Sequence, residues 1–148
     1  MENSIKIMKK RQDAIIPKRA TKGAAGMDLY AIIDEPVTIH PGKLIMVPTG
    51  IAIEMPSNEY AAFIFARSGL GVKHGIALSN GVGVIDSDYR GEICVGLCNL
   101  SDQSYTIQPK DRVAQMVIMP VCQLPLVEVK ELDSTQRGEG GFGSTGKN

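Results

Sequence analysis

The sequence predicts an all-β domain, a sandwich or barrel of short strands, from three observations. From Ile32 to Val129 the chain is a series of short β-branched or apolar segments separated by turn residues. No stretch sustains the helical period that βαβ units would need. The 148 residues, 43% hydrophobic and 22% charged, suffice for one domain with a real core.

The elements follow in order. "KIMKKR" (Lys6 to Arg11) is a basic run that reads as a solvated N-terminal strand edge. "VTIH" is closed by Pro41-Gly42, "KLIMV" by "PTG", and "IAIEM" follows. Proline presets φ and glycine permits positive φ, so these breaks are turns for a physical reason. "YAAFIFAR", "GIALSN", "GEICVGLCNL", "SYTIQ", "RVAQMVIMP" and "LVEVK" continue the series as expected strands. "ARSGLGVKHGI" interrupts it with room for one or two helical turns, for which Ser68 is the expected N-cap. After Val129 the apolar pattern stops. The domain is expected to span residues 1–132, with a flexible glycine-rich arm over 133–148.

Composition excludes several functions. Sixteen basic residues balance sixteen acidic ones, so no overall field favours nucleic acid or an anionic membrane, and neither is expected as a partner. Three cysteines without CxxC spacing argue against a disulfide framework and a zinc site. Cys94 and Cys98, inside an apolar run, are expected to be buried. The N-terminus lacks a signal-peptide core and the apolar runs are too short to span a bilayer, which implies an intracellular, cytoplasmic protein. Asn99-Leu100-Ser101 is then an accidental glycosylation match. His40 and His74 stand apart from other metal-ligating residues and read as structural or surface positions.

Five segments could carry chemistry. In "AGMDLYA", Asp28 sits among apolar neighbours and must find an arginine or a hydrated cation. In "ARSGLGVKHG", Arg67 can donate two parallel bonds, and Ser68-Gly69 can open a helical turn whose free N–H groups favour phosphate. In "SNGVGVIDSDYRGE", Gly81 and Gly83 suit a tight hairpin able to face a planar ligand. Asp86 and Asp88, two apart, would share one side of a regular strand, where a carboxylate can orient water as general base. In "DRVAQMVIMP", Gln115 interrupts an apolar strand. In "RGEGGFGSTGKN", residues 141–147 fit the first seven positions of a P-loop, but Asn148 stands where Ser or Thr is required, and neither strand nor helix flanks it. The P-loop is rejected. What remains is an aromatic, Phe142, with Arg137, Ser144 and Thr145 on a strip whose glycines let backbone N–H groups approach an anion.

Together and in this order, the five segments resemble the five motifs of the trimeric deoxyuridine triphosphate nucleotidohydrolases, the dUTPases, over about Ala25 to Gly146. Ala66, where the family often has proline, and Glu139, where a small residue is common, depart from the pattern. A dCTP deaminase of related fold would lack the "GGFGSTG" tail and the Asp86–Tyr89 pair.

The resemblance implies a β jelly roll of the β-clip kind, a homotrimer with active sites at subunit interfaces, and Mg²⁺-dependent hydrolysis of dUTP to dUMP and pyrophosphate. That reaction limits uracil in DNA and supplies dUMP for thymidylate. By likeness, Asp86 activates the water that attacks the α-phosphorus, and Tyr89 lies beneath the sugar, leaving no room for a 2′-hydroxyl. Asn80 and the backbone of Gly83, Val84 and Ile85 read the uracil edge, with the main chain at Cys94. Arg67, Ser68, Gly69 and Gln115 hold phosphates, and Asp28 supports the metal through water. Arg137, Phe142, Gly143, Ser144 and Thr145 close the arm over the nucleotide.

Overall fold

A computed structural model describes residues 4–141, and these form eleven short strands with one helix. In chain order they are β1 (Lys6–Lys9), β2 (Met27–Tyr30), β3 (Val37–Ile39), β4 (Leu44–Pro48), β5 (Ile51–Glu54) and β6 (Tyr60–Phe65). Then come α1 (Ser68–His74), β7 (Ile76–Leu78), β8 (Gly83–Ile85), β9 (Cys94–Asn99), β10 (Tyr105–Ile107) and β11 (Arg112–Pro120). The all-β expectation holds, and no sheet among the described residues closes into a barrel.

Two larger sheets, β2-β11-β6-β8 and β4-β9-β7, and two ribbons, β1-β5 and β3-β10, pack around a single core, and every pairing is antiparallel. Leu29, Ile39, Ile51, Ile64, Val95, Leu97 and Met116 meet there from different strands. Fully burying one such side chain contributes about 1.5–3 kcal/mol. The basic N-terminal run does form a solvated edge: among the described residues β1 pairs only with β5, and Lys6 reaches Glu54 at 2.7 Å.

Alternation along β9 corrects one expectation. Val95, Leu97 and Asn99 point inward, which turns Cys94, Gly96 and Cys98 outward, so Cys94 is exposed and Cys98 only half-buried. An apolar run on a strand cannot bury both faces unless both are covered. Opposite them on β4, Leu44 pairs with Cys98 and Met46 with Gly96, and both side chains lie in the open.

Asn99 is completely buried and fully bonded. Its amide donates to the carbonyls of Ile39 (2.9 Å) and Gln103 (2.7 Å), and its oxygen accepts from the backbone N–H and hydroxyl of Ser101. Its burial leaves no room for a glycan. The side chain instead closes the turn leading into β10.

The helix starts differently from expectation. Arg67 is the residue before its first turn, no side chain caps it, and Ser68 is already helical. It ends where Gly75 adopts φ 66°, the left-handed conformation glycine tolerates best. The expected strand "LVEVK" does not form. From residue 121 to 141 no strand or helix occurs, and Leu124, Leu126, Val127 and Leu132 stay exposed, left uncovered by the described residues.

Candidate active site

The first cluster is built where β2, β11 and the start of α1 converge. Asp28 on β2 lies opposite Gln115 on β11, and Gln115 lies opposite Phe65 on β6. That register carries the segment after β6 past the same point, so Arg67 arrives beside Asp28. The Arg67 Nε donates to Asp28 Oδ1 at 2.8 Å, and Arg112 Nη1 reaches Oδ2 at 3.3 Å. Of the two partners left open by the sequence for Asp28, the one found here is arginine. Gln115 is half-buried, donating from Nε2 to the Ala66 carbonyl at 3.0 Å. Gly26 lies so close to its Oε1 that a Cβ there would stand 2.7 Å away. Arg67 and Arg112 line a polar cavity of about 170 Å³ with Tyr105, Asp111 and Leu70. Burial, and then the charge of Asp111, push the Tyr105 hydroxyl above its ordinary range, and His74 packs on the Tyr105 ring at 4.7 Å. Ser68 and Gly69 are exposed at the first helical positions beside this cavity.

The second cluster is a separate cleft of about 420 Å³. Val84, Ile85 and Asp86 form one side, Tyr89 and Glu92 another, and Met46 with Cys94 a third. The expected tight hairpin is absent. Gly81 takes φ 72° in a turn where the Val82 N–H meets the Asn80 carbonyl at 2.8 Å, but the turn carries the chain from one sheet to the other. β7 pairs with β9 and β8 pairs with β6, so they part into different sheets, and the cleft lies between β8 and the paired β4 and β9. β8 is the last strand of its sheet, and its second edge faces no strand among the described residues.

Asp86 and Asp88 do not share a strand face. β8 ends at Ile85, and Asp86 begins a turn closed by the Tyr89 N–H on its carbonyl at 3.2 Å. Both are exposed, but only Asp86 lines the cleft. The Tyr89 hydroxyl donates to the Glu92 carbonyl at 3.0 Å. Partial burial, and then the charge of Glu92, raise the Cys94 thiol above its usual range.

Arg137 is exposed and turned onto its own segment, with Nε on the Gly140 carbonyl at 2.8 Å. Phe142, Gly143, Ser144 and Thr145 lie outside the described residues. The two clusters share no lining residue. Sequence reasoning missed Arg112, Met46 and Glu92. An arginine opening an otherwise apolar strand was a signal for Arg112; nothing local marked its partner, 84 residues earlier.

No three His, Cys, Asp or Glu side chains among the described residues are grouped to hold a metal ion. Both Asp28 oxygens already accept guanidinium N–H groups, although a carboxylate offers about four acceptor sites. Such a donor set suits only an ion that brings ligands of its own. Mg²⁺, which keeps several waters and binds through one or two carboxylates plus phosphates, is such an ion.

A dUTPase family model matches residues 12–146, nearly the whole chain. The chain belongs to the dUTPase family. It is 50% identical over 146 residues to the deoxyuridine 5′-triphosphate nucleotidohydrolase of Neisseria meningitidis serogroup A, covering 99% of this chain and 97% of that one. To the protein of that name from Idiomarina loihiensis it is 52% identical, covering 97% and 96%. Among solved structures, the dUTPase of Staphylococcus bacteriophage 80alpha with dUPNHPP superposes with a TM-score of 0.88 at 26% identity, covering 98% of this chain and 99% of that one. A point variant of the dUTPase from phage phi11 of S. aureus, described with a structural Mg(II) ion, shares the fold at 23% identity and a TM-score of 0.80, over 89% of this chain and all of that one. The fold is therefore the jelly-roll, β-clip arrangement of dUTPases.

Proposed function

We propose that this chain hydrolyses dUTP to dUMP and pyrophosphate, limiting uracil in DNA and supplying dUMP for thymidylate. The observation that carries the reading is the cleft beside β8. An unpaired strand edge offers backbone donors and acceptors to a planar base, and Asp86 and Tyr89 stand at the same opening. Gly83, Val84 and Ile85 read the uracil edge by main chain, with Asn80 at the turn and the backbone at Cys94 facing them. A rigid backbone can reject thymine by clashing with its methyl, where a merely roomier pocket would discriminate only about 10–200-fold.

Asp86 holds a water and takes its proton as that water attacks the α-phosphorus; pyrophosphate leaves. Tyr89 underlies the deoxyribose. Arg67, Ser68, Gly69 and Gln115 bind phosphate oxygens, so Arg67 exchanges part of its bond to Asp28 for the substrate. Mg²⁺ neutralises phosphate charge when bound, and Asp28 supports it through a water. Arg137, Phe142, Gly143, Ser144 and Thr145 close over the nucleotide from the arm that begins near residue 133, excluding bulk water.

The chain acts as a homotrimer with active sites between subunits. Two observations support this: among the described residues the arginine cluster and the base cleft share no lining residue, and the apolar side chains of Leu124, Leu126, Val127, Val129 and Leu132 are exposed. Three free cysteines suit an intracellular, cytoplasmic setting, and no helix among the described residues is long and apolar enough to cross a membrane. The test is pyrophosphate release with dUTP, dTTP, UTP and dCTP in turn, with sizing of the same sample. Release confined to dUTP from a trimer is expected. Ammonia from dCTP, or no release from dUTP, overturns the reading.

A further inference from the structure

We propose that Glu92 is a positioning residue that seats Tyr89 through the turn between β4 and β5, and so sets selectivity for deoxyribose over ribose. The inference rests on the reading of Tyr89 as the floor beneath the sugar. Glu92 lines the base cleft, yet its carboxylate is turned to the fold: Oε1 accepts the Gly50 N–H at 2.7 Å. Gly50 is buried at φ 67°, held against Ala14 and Ile32, so this donor is anchored on the core side of the molecule.

The residues flanking Gly50 grip the next residue along. The Ile93 N–H donates to the Ile51 carbonyl at 2.9 Å, and the Ile93 carbonyl accepts from the Thr49 N–H at 3.2 Å and from its hydroxyl at 2.5 Å. The peptide joining Glu92 to Ile93 is thereby immobilised, and its oxygen is the acceptor of the Tyr89 hydroxyl. The Glu92 side chain closes this ring of bonds at Gly50, a turn residue whose N–H the strand ladder does not use. Beneath the ring, Gly91 leaves no space for a side chain: a Cβ there would collide with Tyr89 Oη and Cζ. Tyr89 therefore rests on a bare backbone and is tethered at its far end, although much of its surface faces solvent.

A tethered ring can exclude a 2′-hydroxyl; an untethered one on an exposed turn can swing aside and admit it. The distinction is measurable, because a general loosening of the site lowers kcat/KM for dUTP and UTP together. Loss of the seat alters their ratio. The measurement is kcat/KM for dUTP and UTP with wild type, Glu92→Ala, Glu92→Gln and Tyr89→Phe, each checked for a native melt and size. Misplacing a substrate-positioning group by about 1 Å can cost about 10²-fold. Glu92→Ala and Tyr89→Phe are accordingly expected to narrow the dUTP-to-UTP ratio by about tenfold or more. Glu92→Gln, whose amide oxygen can still accept the Gly50 N–H, is expected to restore it. An unchanged ratio in Glu92→Ala overturns the proposal. If that variant does not fold, Tyr89→Phe cuts the same tether from its other end, and an unchanged ratio there overturns it equally. A wild type without preference for dUTP over UTP instead refutes the assignment of Tyr89 itself.

Discussion

Replacing Asp86 by asparagine separates catalysis from folding. The Asp86 side chain is exposed, and its carboxylate makes no hydrogen bond or ion pair among the described residues; only its backbone carbonyl is used, by the Tyr89 N–H. Asparagine keeps the shape and that backbone bond, so stability should change by less than about 0.5 kcal/mol, as at surface positions without special roles. Turnover should fall by about 10²–10⁴-fold, the range for losing a general base. At about 1.4 kcal/mol per decade that is about 3–5.5 kcal/mol of transition-state stabilisation, far more than the folding cost. The assay is pyrophosphate release at saturating dUTP beside calorimetric binding of a non-hydrolysable analogue. Affinity should remain near that of wild type while turnover collapses. Unchanged turnover would refute Asp86 as the base. A large drop in melting temperature would show that the carboxylate supports the turn, and the activity loss could then not be read as chemistry.

Other perturbations reach other parts of the molecule. Asn99→Ala strips buried partners from the Ile39 carbonyl and the Ser101 N–H, and should destabilise the domain by about 2–4 kcal/mol, seen as a lower midpoint in chemical denaturation. Truncation after Thr135 removes described residues whose hydrogen bonds are confined to that turn, so the melt should barely shift while turnover drops by about 10²-fold or more; full activity would sink the closing arm. At Cys94, burial and the Glu92 charge raise the thiol above its ordinary range, so less thiolate is present at a given pH. Its alkylation should therefore be slower than that of a free thiol at pH 8, speed up as pH rises, and be blocked by dUTP, with exposed Cys122 as the internal control.

The strands were legible wherever proline and glycine punctuated them. Pro41-Gly42 and "PTG" separate β3, β4 and β5 as the turn rules require, because φ restriction acts within two or three residues. The strand expected at "LVEVK" shows the limit of such rules. Its composition is right for a strand, but a strand needs a neighbour, and none pairs with it among the described residues. Cys94 and Cys98 failed for a related reason: composition reveals that a run is apolar, but the phase of alternation depends on which face the sheet turns inward.

The sequence by itself determined the all-β class, the strand boundaries near its turns, and the membership implied by five ordered motifs. Only the tertiary structure decided that Asp28 is shared by Arg67 and Arg112, that β8 faces β4 and β9 across one cleft, and that Glu92 is tied to Gly50 behind Tyr89. Backbone preferences are local and can be read residue by residue. Charge pairing and cleft geometry depend on registers between strands far apart in the chain, and those are set by the packing of the whole core.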